Sequence, residues 1–430
     1  MCCTQATERC TVRAYSFAAV LGLFGFGVVS PSVGAEEWSQ WRGPRGDGHS
    51  GAKDLPIKWS KQNVLWRTRI PGRGQSSPVA WGNRIYLTSA TDGGRKRVVL
   101  AVDGTTGKIV WERVAATVEA EQIHNMNTWA TPTCATDGER VVAYFGHGGL
   151  YCYGVNGRLQ WQQELGALAT SGWGVGSSPI VLANKVIQVC DGDNQAFLIA
   201  IDLERGKTVW KTPRPKNRSF STPLLVTTEK RRELVVNGHA GMRGYDPETG
   251  RELWSCSGGS GRGTPSVVSA EGMVIAVSGR SRGAGDMIAV RAGGSGDLTQ
   301  NVVWKTRRGG RDIPSPIVVG HYVLSANLRP GVAACYDLRT GRLTWKQRLG
   351  VGGFTSSPIA ANGLVYTVSE SGTTVVFRPG DRFEQVARNK LRSDEDETFR
   401  ASLMPYRGRI YCRSDKYLYC IGKQSLSGRG

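Results

Sequence analysis

From residue 60 onward the chain alternates short apolar runs with polar breaks rich in Gly, Asn and Asp. Pro78-Val79-Ala80, then Gly82-Asn83, then Arg84-Ile85-Tyr86-Leu87 shows the pattern. Val, Ile, Tyr and Thr dominate the runs, and no long helical stripe develops. Such a pattern predicts many short strands joined by tight turns.

The pattern repeats. Four segments align without gaps: Ala101-Val102-Asp103 to Trp111, Ala200-Ile201-Asp202 to Trp210, Gly244-Tyr245-Asp246 to Trp254, and Cys335-Tyr336-Asp337 to Trp345. In each, Asp precedes Trp by eight residues, and Gly107, Gly206, Gly250 or Gly341 follows the Asp by four. An Asp at a strand end caps a turn with its carboxylate. A Gly four residues on supplies the positive φ that closes a hairpin. One Trp per repeat is large enough to fill the wedge between neighbouring sheets.

Weaker copies run from Cys152 to Trp161, from Ala289 to Trp304 through a longer loop, and from Val376 to Val386, where the Trp is lost. Trp66 has the Trp strand alone, and Cys420-Ile421-Gly422 has the first half alone. A second landmark is a hydroxyl residue before Pro at Ser77-Pro78, Thr131-Pro132, Ser178-Pro179, Thr222-Pro223, Thr264-Pro265, Ser315-Pro316 and Ser357-Pro358, with Met404-Pro405 as a degenerate eighth. The spacing of these landmarks is 42 to 54 residues. Pro tolerates the first position of a strand, so each unit reads as four short antiparallel strands. The fold expected is all-β: an eight-bladed β-propeller of four-stranded antiparallel blades, with seven blades as the alternative. The Trp66 strand would complete the last blade and close the ring.

The first 35 residues differ from the rest. Arg9 and Arg13 precede an apolar run from Ala14 to Val29, and Val33-Gly34-Ala35 ends it. This reads as a secretory signal cut before Glu36. No second apolar run follows, so no transmembrane span is expected after cleavage. The organisation expected is signal peptide 1–35, an N-terminal extension 36–59 with Trp38-Ser39-Gln40-Trp41-Arg42-Gly43-Pro44, propeller 60–423 and tail 424–430.

Composition refines this picture. Of ten Cys, seven lie beyond the signal: Cys134, Cys152, Cys190, Cys256, Cys335, Cys412 and Cys420. Cys152, Cys335 and Cys420 occupy the slot that Ala101, Ala200, Gly244 and Ala289 fill elsewhere, which wants a small apolar side chain. Core packing is therefore expected, with Cys412–Cys420 open as a pair across a hairpin. The net charge of +20 favours acidic partners, but the basic residues are dispersed and no recognition element accompanies them. A nucleic-acid role is not expected.

The repeat residues resemble the PQQ-like, or quinoprotein-type, β-propeller repeat, whose pattern is visible at Ala101, Asp103, Thr106-Gly107 and Trp111 and again at Asp246, Thr249-Gly250 and Trp254. The resemblance covers about residues 60–423. Within it the chain is most similar to BamB-type propellers, which implies a non-catalytic periplasmic or secreted scaffold. The Trp38–Pro44 stretch resembles the N-terminus of a group of exported bacterial propellers. The resemblance also carries an alternative, a diverged dehydrogenase-like enzyme holding PQQ with calcium next to a vicinal disulfide. The only adjacent Cys pair is Cys2-Cys3, inside the signal.

Candidate chemistry is sparse. Asp191-Gly192-Asp193-Asn194 is the best acidic loop, and a polar hairpin turn is its plainer reading. Gly279-Arg280-Ser281-Arg282-Gly283 lacks the helix a nucleophile elbow needs. Gly206-Lys207-Thr208 is the repeat's own turn. No catalytic, cofactor or metal residues are assigned. His124-Asn125-Met126-Asn127-Thr128-Trp129 is the most unusual polar-aromatic loop, and Trp173 holds a comparable place one blade later. A ligand or partner site including His124, Asn127, Trp129 and Trp173 is expected at one mouth of the central channel. The expected partner is an envelope protein or an acidic polysaccharide, bound by a monomer.

Overall fold

The computed structural model describes residues 37–258, 263–278, 285–310, 313–327, 330–391 and 396–423. The expected signal segment, the 279–283 loop and the tail lie outside them. Eight sheets are arranged as blades, each with a four-stranded antiparallel core. Blades 1 to 7 span 79–117, 135–163, 180–213, 224–256, 268–310, 317–348 and 359–390. Blade 8 combines Met404–Tyr406, Arg409–Arg413 and Tyr417–Ile421 with Val64–Arg69 from the other end of the chain. The loop of blade 5 that lengthens its repeat places Gly296–Asp297 parallel to the outer strand of blade 4. Among the described residues, no helix is long and apolar enough to cross a membrane.

The innermost strands are joined around the channel by one recurring hydrogen bond. The Ser77 N–H donates to the Thr133 hydroxyl, Thr133 to Ser178, Ser178 to Thr222 and Thr222 to Ser266. Ser266 then donates to Ser315, Ser315 to Ser357, Ser357 to Ser402, and Ser402 back to Ser77. All eight bonds measure 2.8–3.0 Å. The side chains are 2–6 % exposed, so every backbone donor satisfied here would otherwise be stranded. The ring position coincides with the hydroxyl-Pro landmark in five blades and departs from it in three. Thr133, Ser266 and Ser402 hold the ring position, not Thr131, Thr264 or Met404. In these blades the residue after the ring position is Cys134, Val267 or Leu403 in place of Pro.

A second recurring contact packs blade on blade. The small-residue slot faces the repeat Trp across the outer strand pair: Ala101 opposes Trp111, Cys152 Trp161, Ala200 Trp210, Gly244 Trp254, Ala289 Trp304, Cys335 Trp345 and Cys420 Trp66. In blade 7 the partner of Val376 is Ala387. Val386 is the extra residue of a bulge, a one-residue correction to the sequence reading. The indoles then lie on the Gly of the next blade's turn. A Cβ on Gly107, Gly206, Gly250 or Gly341 would come within 2.4–2.6 Å of Trp66, Trp161, Trp210 or Trp304. These glycines also have φ of +67 to +75°, so two constraints select the same residue. Trp111, Trp161, Trp304 and Trp345 donate their ring N–H to a carbonyl of the next blade at 2.8–2.9 Å.

Trp254 departs from this rule. Blade 5 lacks the short turn it would need, and its indole bonds the buried Glu233 carboxylate at 2.8 Å instead. There it lies so close to Gly244 that a Cβ would sit 2.2 Å from the ring nitrogen, which is why this slot holds Gly and not Ala. The turn Asp carboxylates behave as expected: Asp103 accepts from the Thr105 and Thr106 N–H groups at 3.0 and 2.9 Å, and Asp337 from Arg339 and Thr340 at 3.1 and 2.8 Å.

Two outcomes test these contacts by chemical denaturation. Ser178→Ala leaves the buried Thr133 N–H without an acceptor and should cost about 1–3 kcal/mol, whereas Ser178→Thr should be near neutral. Gly82 has φ +58° with nothing within 4 Å of a new Cβ. Gly82→Ala should therefore cost only about 1 kcal/mol for the backbone, and Gly250→Ala should cost about 1–3 kcal/mol more through the clash with Trp210.

Candidate functional site

The hydroxyl ring divides the channel into two ends. Three residues after the ring position, the innermost strands of five blades meet the N-terminal segment. Ala80 N–H donates to Trp38 O at 2.8 Å, Thr136 N–H to Ser39 O at 2.8 Å, Val181 N–H to Gln40 Oε1 at 3.1 Å and Ala360 N–H to Gly48 O at 2.9 Å. His49 Nε2 contacts Val318 O at 2.7 Å. The Trp38–Pro44 motif thus belongs to a plug that fastens to successive blades. Arg42 at its centre is fully buried, donates to Pro316 O at 2.8 Å, and is lowered by burial to about 10, with Asp47 opposing. Trp41 lines the channel from this side.

Two residues before each ring position lies a second layer of side chains facing the same cavity of about 230 Å³. Over blades 7, 8, 1 and 2 it consists of Thr355, Arg400, Gln75 and Thr131. Over blades 3 to 6 it consists of Gly176, Phe220, Thr264 and Ile313. The first arc is polar and the second is mostly apolar. A spacing of two places both layers on one side of an extended strand start. Sequence reasoning missed this layer, because its residues vary and only the ring two positions on is regular.

The loop leading into blade 2 reaches the open mouth. His124 and Trp173 stack with centroids 4.1 Å apart and planes 19° from parallel. His124 Nδ1 accepts from the Met126 N–H at 3.2 Å, which leaves the ring proton on Nε2. Asn127 Nδ2 donates to Trp173 O and Val175 O at 2.6 and 3.2 Å. Arg400 is held by Glu370 at 2.8 Å and donates to Asn125 O at 3.1 Å. Of the four residues expected at the mouth, His124, Asn127 and Trp173 line the cavity. Trp129 is not among the lining residues. It covers Gly94, where a Cβ would lie 2.4 Å from the indole, and donates to Glu121 O at 2.8 Å. It fixes the loop from behind.

The other candidates are structural. Asp191 pairs with Arg214 at 2.9 and 3.0 Å, Asp193 with Arg218 at 2.6 Å, and Asn194 bonds the backbone at Ala167 and Ala169. The acidic loop is a saturated hairpin turn. All seven described Cys are buried and free. Cys412 opposes Tyr419, and Cys420 opposes Tyr411, so neighbours along the ladder place the two thiols on opposite faces of the sheet. Burial pushes Cys134, Cys152 and Cys190 up to about 12.

The outer membrane protein assembly factor BamB family matches residues 53–213 and 148–382. The chain belongs to this family. A relative, the outer membrane protein assembly factor BamB of Moranella endobia (strain PCIT), is 25 % identical over 191 residues, 44 % of this chain and 43 % of that protein. The match thus spans less than half the length of the relative. Among solved structures, BamB from Moraxella catarrhalis superposes with a TM-score of 0.60 at 14 % identity, covering 85 % of this chain and 99 % of that one. A europium-containing methanol dehydrogenase gives 0.63 at 12 % identity, covering 90 % and 98 %. Quinohemoprotein alcohol dehydrogenase from Comamonas testosteroni gives 0.61 at 12 %, covering 92 % and 82 %. At such identities the structures share the fold.

The dehydrogenase likeness makes the cavity's donor set worth testing against PQQ and calcium. Calcium takes six to eight oxygens, with carboxylates prominent. The described lining residues offer hydroxyls, amides, an imidazole, indoles and a guanidinium, without a carboxylate. Among the described residues no three His, Cys, Asp or Glu cluster as a metal site would require. This donor set does not suit a calcium-held quinone.

One outcome tests the thiol assignment. In native protein lacking the signal segment, a thiol-specific dye should react slowly at all seven Cys and rapidly once the chain is unfolded without reductant. A Cys412–Cys420 bridge would reduce the unfolded count by two.

Proposed function

We propose that the protein is a non-catalytic periplasmic or secreted scaffold of the BamB type, which offers the loop face around His124 and Trp173 to a protein of outer-membrane assembly. The observation that carries this reading is the family match across residues 53–382, joined to a mouth whose loops are already fixed. Asn127 ties the blade 2 loop to the blade 3 loop, and Arg400 ties it to blade 8. Exposed Gln122, Asn125 and Ser171 stand on this anchored framework. A pre-organised face binds without paying for loop ordering, which favours recognition by a rigid ring. The basic and apolar pattern at the N-terminus supports export, and the protein is read as a monomer.

The test is capture from the native envelope with the propeller as bait. The expected result is enrichment of an outer-membrane assembly protein, reduced about tenfold by the double variant His124→Ala, Trp173→Ala, a loss of about 1.4 kcal/mol. Enrichment of no such protein, or equal capture by the variant, would overturn the reading. So would dye-linked alcohol oxidation by purified protein with PQQ and calcium. The net charge of +20 favours a second reading as an acidic-polysaccharide binder. Failure to stay on an anionic polysaccharide column at low salt would remove it.

A further inference from the structure

We propose that the channel between the hydroxyl ring and the open mouth is a binding site for a small amphipathic organic anion, a carboxylate on a flat apolar body.

The ring supplies the first reason. Each of its hydroxyls accepts a backbone N–H, and no acceptor for its own O–H lies within reach among the described residues. Thr355 Oγ1, in the layer above, is buried with no partner at all. A hydroxyl rotates its proton toward whatever acceptor is offered. Buried O–H groups that line a cavity without acceptors select a guest that brings oxygen lone pairs, and an ionised oxygen satisfies them best.

The second reason is the charge of the lining. Arg400 is the one permanently charged side chain lining the cavity among the described residues, and it shares its charge with Glu370, which stands behind it outside the lining. Glu370 and Asn125 O hold the Arg400 fork in place at 2.8 and 3.1 Å. Arg400 and Thr355 belong to the polar arc, so the anionic head has a defined side of the channel.

The third reason is the opposite arc. Phe220 and Ile313 face the polar side across the ring, and the stacked His124–Trp173 pair stands at the mouth. Flat rings and an apolar wall suit a planar hydrocarbon body. The plug around Trp41 makes the cavity a recess of about 230 Å³. That limits the guest to a compact acid.

The test uses phenylacetate as the probe and phenylacetamide as its uncharged counterpart, by calorimetry and by the fluorescence of the two lining tryptophans. Phenylacetate should bind one per chain and about tenfold tighter than the amide, the worth of one charge-assisted contact. Arg400→Gln should weaken phenylacetate about tenfold and leave the amide unchanged. Thr355→Val removes a hydroxyl that bonds nothing in the protein, so it keeps the fold and should weaken phenylacetate severalfold. Phe220→Ala should weaken both probes alike. No saturable binding up to about 10 mM would overturn the proposal. Equal affinity for acid and amide, or phenylacetate binding unmoved by Thr355→Val, would do the same. Partner capture and phenylacetate binding are read separately, so either can fail while the other stands.

Discussion

The architecture depends on one hydrogen bond used eight times. A backbone N–H at the start of each innermost strand must be satisfied in a place that water scarcely reaches, and a Ser or Thr of the next blade satisfies it. The arrangement is circular: each hydroxyl serves the blade before it and needs the blade after it in place. A propeller is a ring of nearly independent sheets, and the outer strands share few backbone bonds between blades. The inner circle supplies the directional link that hydrophobic packing lacks, because apolar contact is indifferent to small sliding while a hydrogen bond is not.

The Trp contact works at the other radius. The indole has to cross from one sheet to the next, so it needs a small residue behind it and a bare backbone in front. Ala, Gly or Cys supplies the first, and the turn Gly supplies the second. This explains why Cys occurs at Cys152, Cys335 and Cys420 without any redox chemistry. Trp254 shows the rule by its exception. When blade 5 lengthens its turn, the ring N–H loses its acceptor carbonyl, and Glu233 is buried to replace it, supported by Arg231 at 2.9 Å. One irregular turn thus requires a carboxylate, an arginine and a glycine to change with it.

Much of this was legible in the sequence because it repeats. The Asp, Gly and Trp spacing gave the hairpin, the turn and the inter-blade wedge, and the count of Pro landmarks agreed with the eight sheets. What the repeat did not reveal has physical reasons. Pro marks where a strand can begin, whereas the ring needs a hydroxyl at a fixed depth in the channel, and the two coincide in only five blades. Val386 was placed one residue off because a bulge shifts the register without leaving a signature. Trp129 looks like Trp173 in sequence, but Gly94 on the preceding blade makes room for its indole, which turns away from the cavity. The plug was visible only as a motif. Its function as a plug depends on contacts with blades 1 to 3, 6 and 7, and these are far away in sequence.

The same circle explains how the channel can carry specificity. Ring hydroxyls are committed through their lone pairs to the fold, and their protons remain free for a guest. Two residues earlier, the side chains face the cavity yet contribute little to joining the blades. Thr, Arg, Gln, Gly, Phe and Ile all occur there without disturbing the bond two positions on. Stability therefore resides in one layer and selectivity in the next. A fold with this separation can change what its channel accepts without changing what holds it together, consistent with the low identity between this chain and the structures that share its shape. For this chain the consequence is a recess with one polar side, one apolar side and Trp41 of the plug at its floor. That asymmetry is not required by the eightfold repeat, which alone would give a uniform ring. It arises only from the variable layer, and for that reason it marks the part of the channel whose chemistry the blade-building contacts leave unexplained.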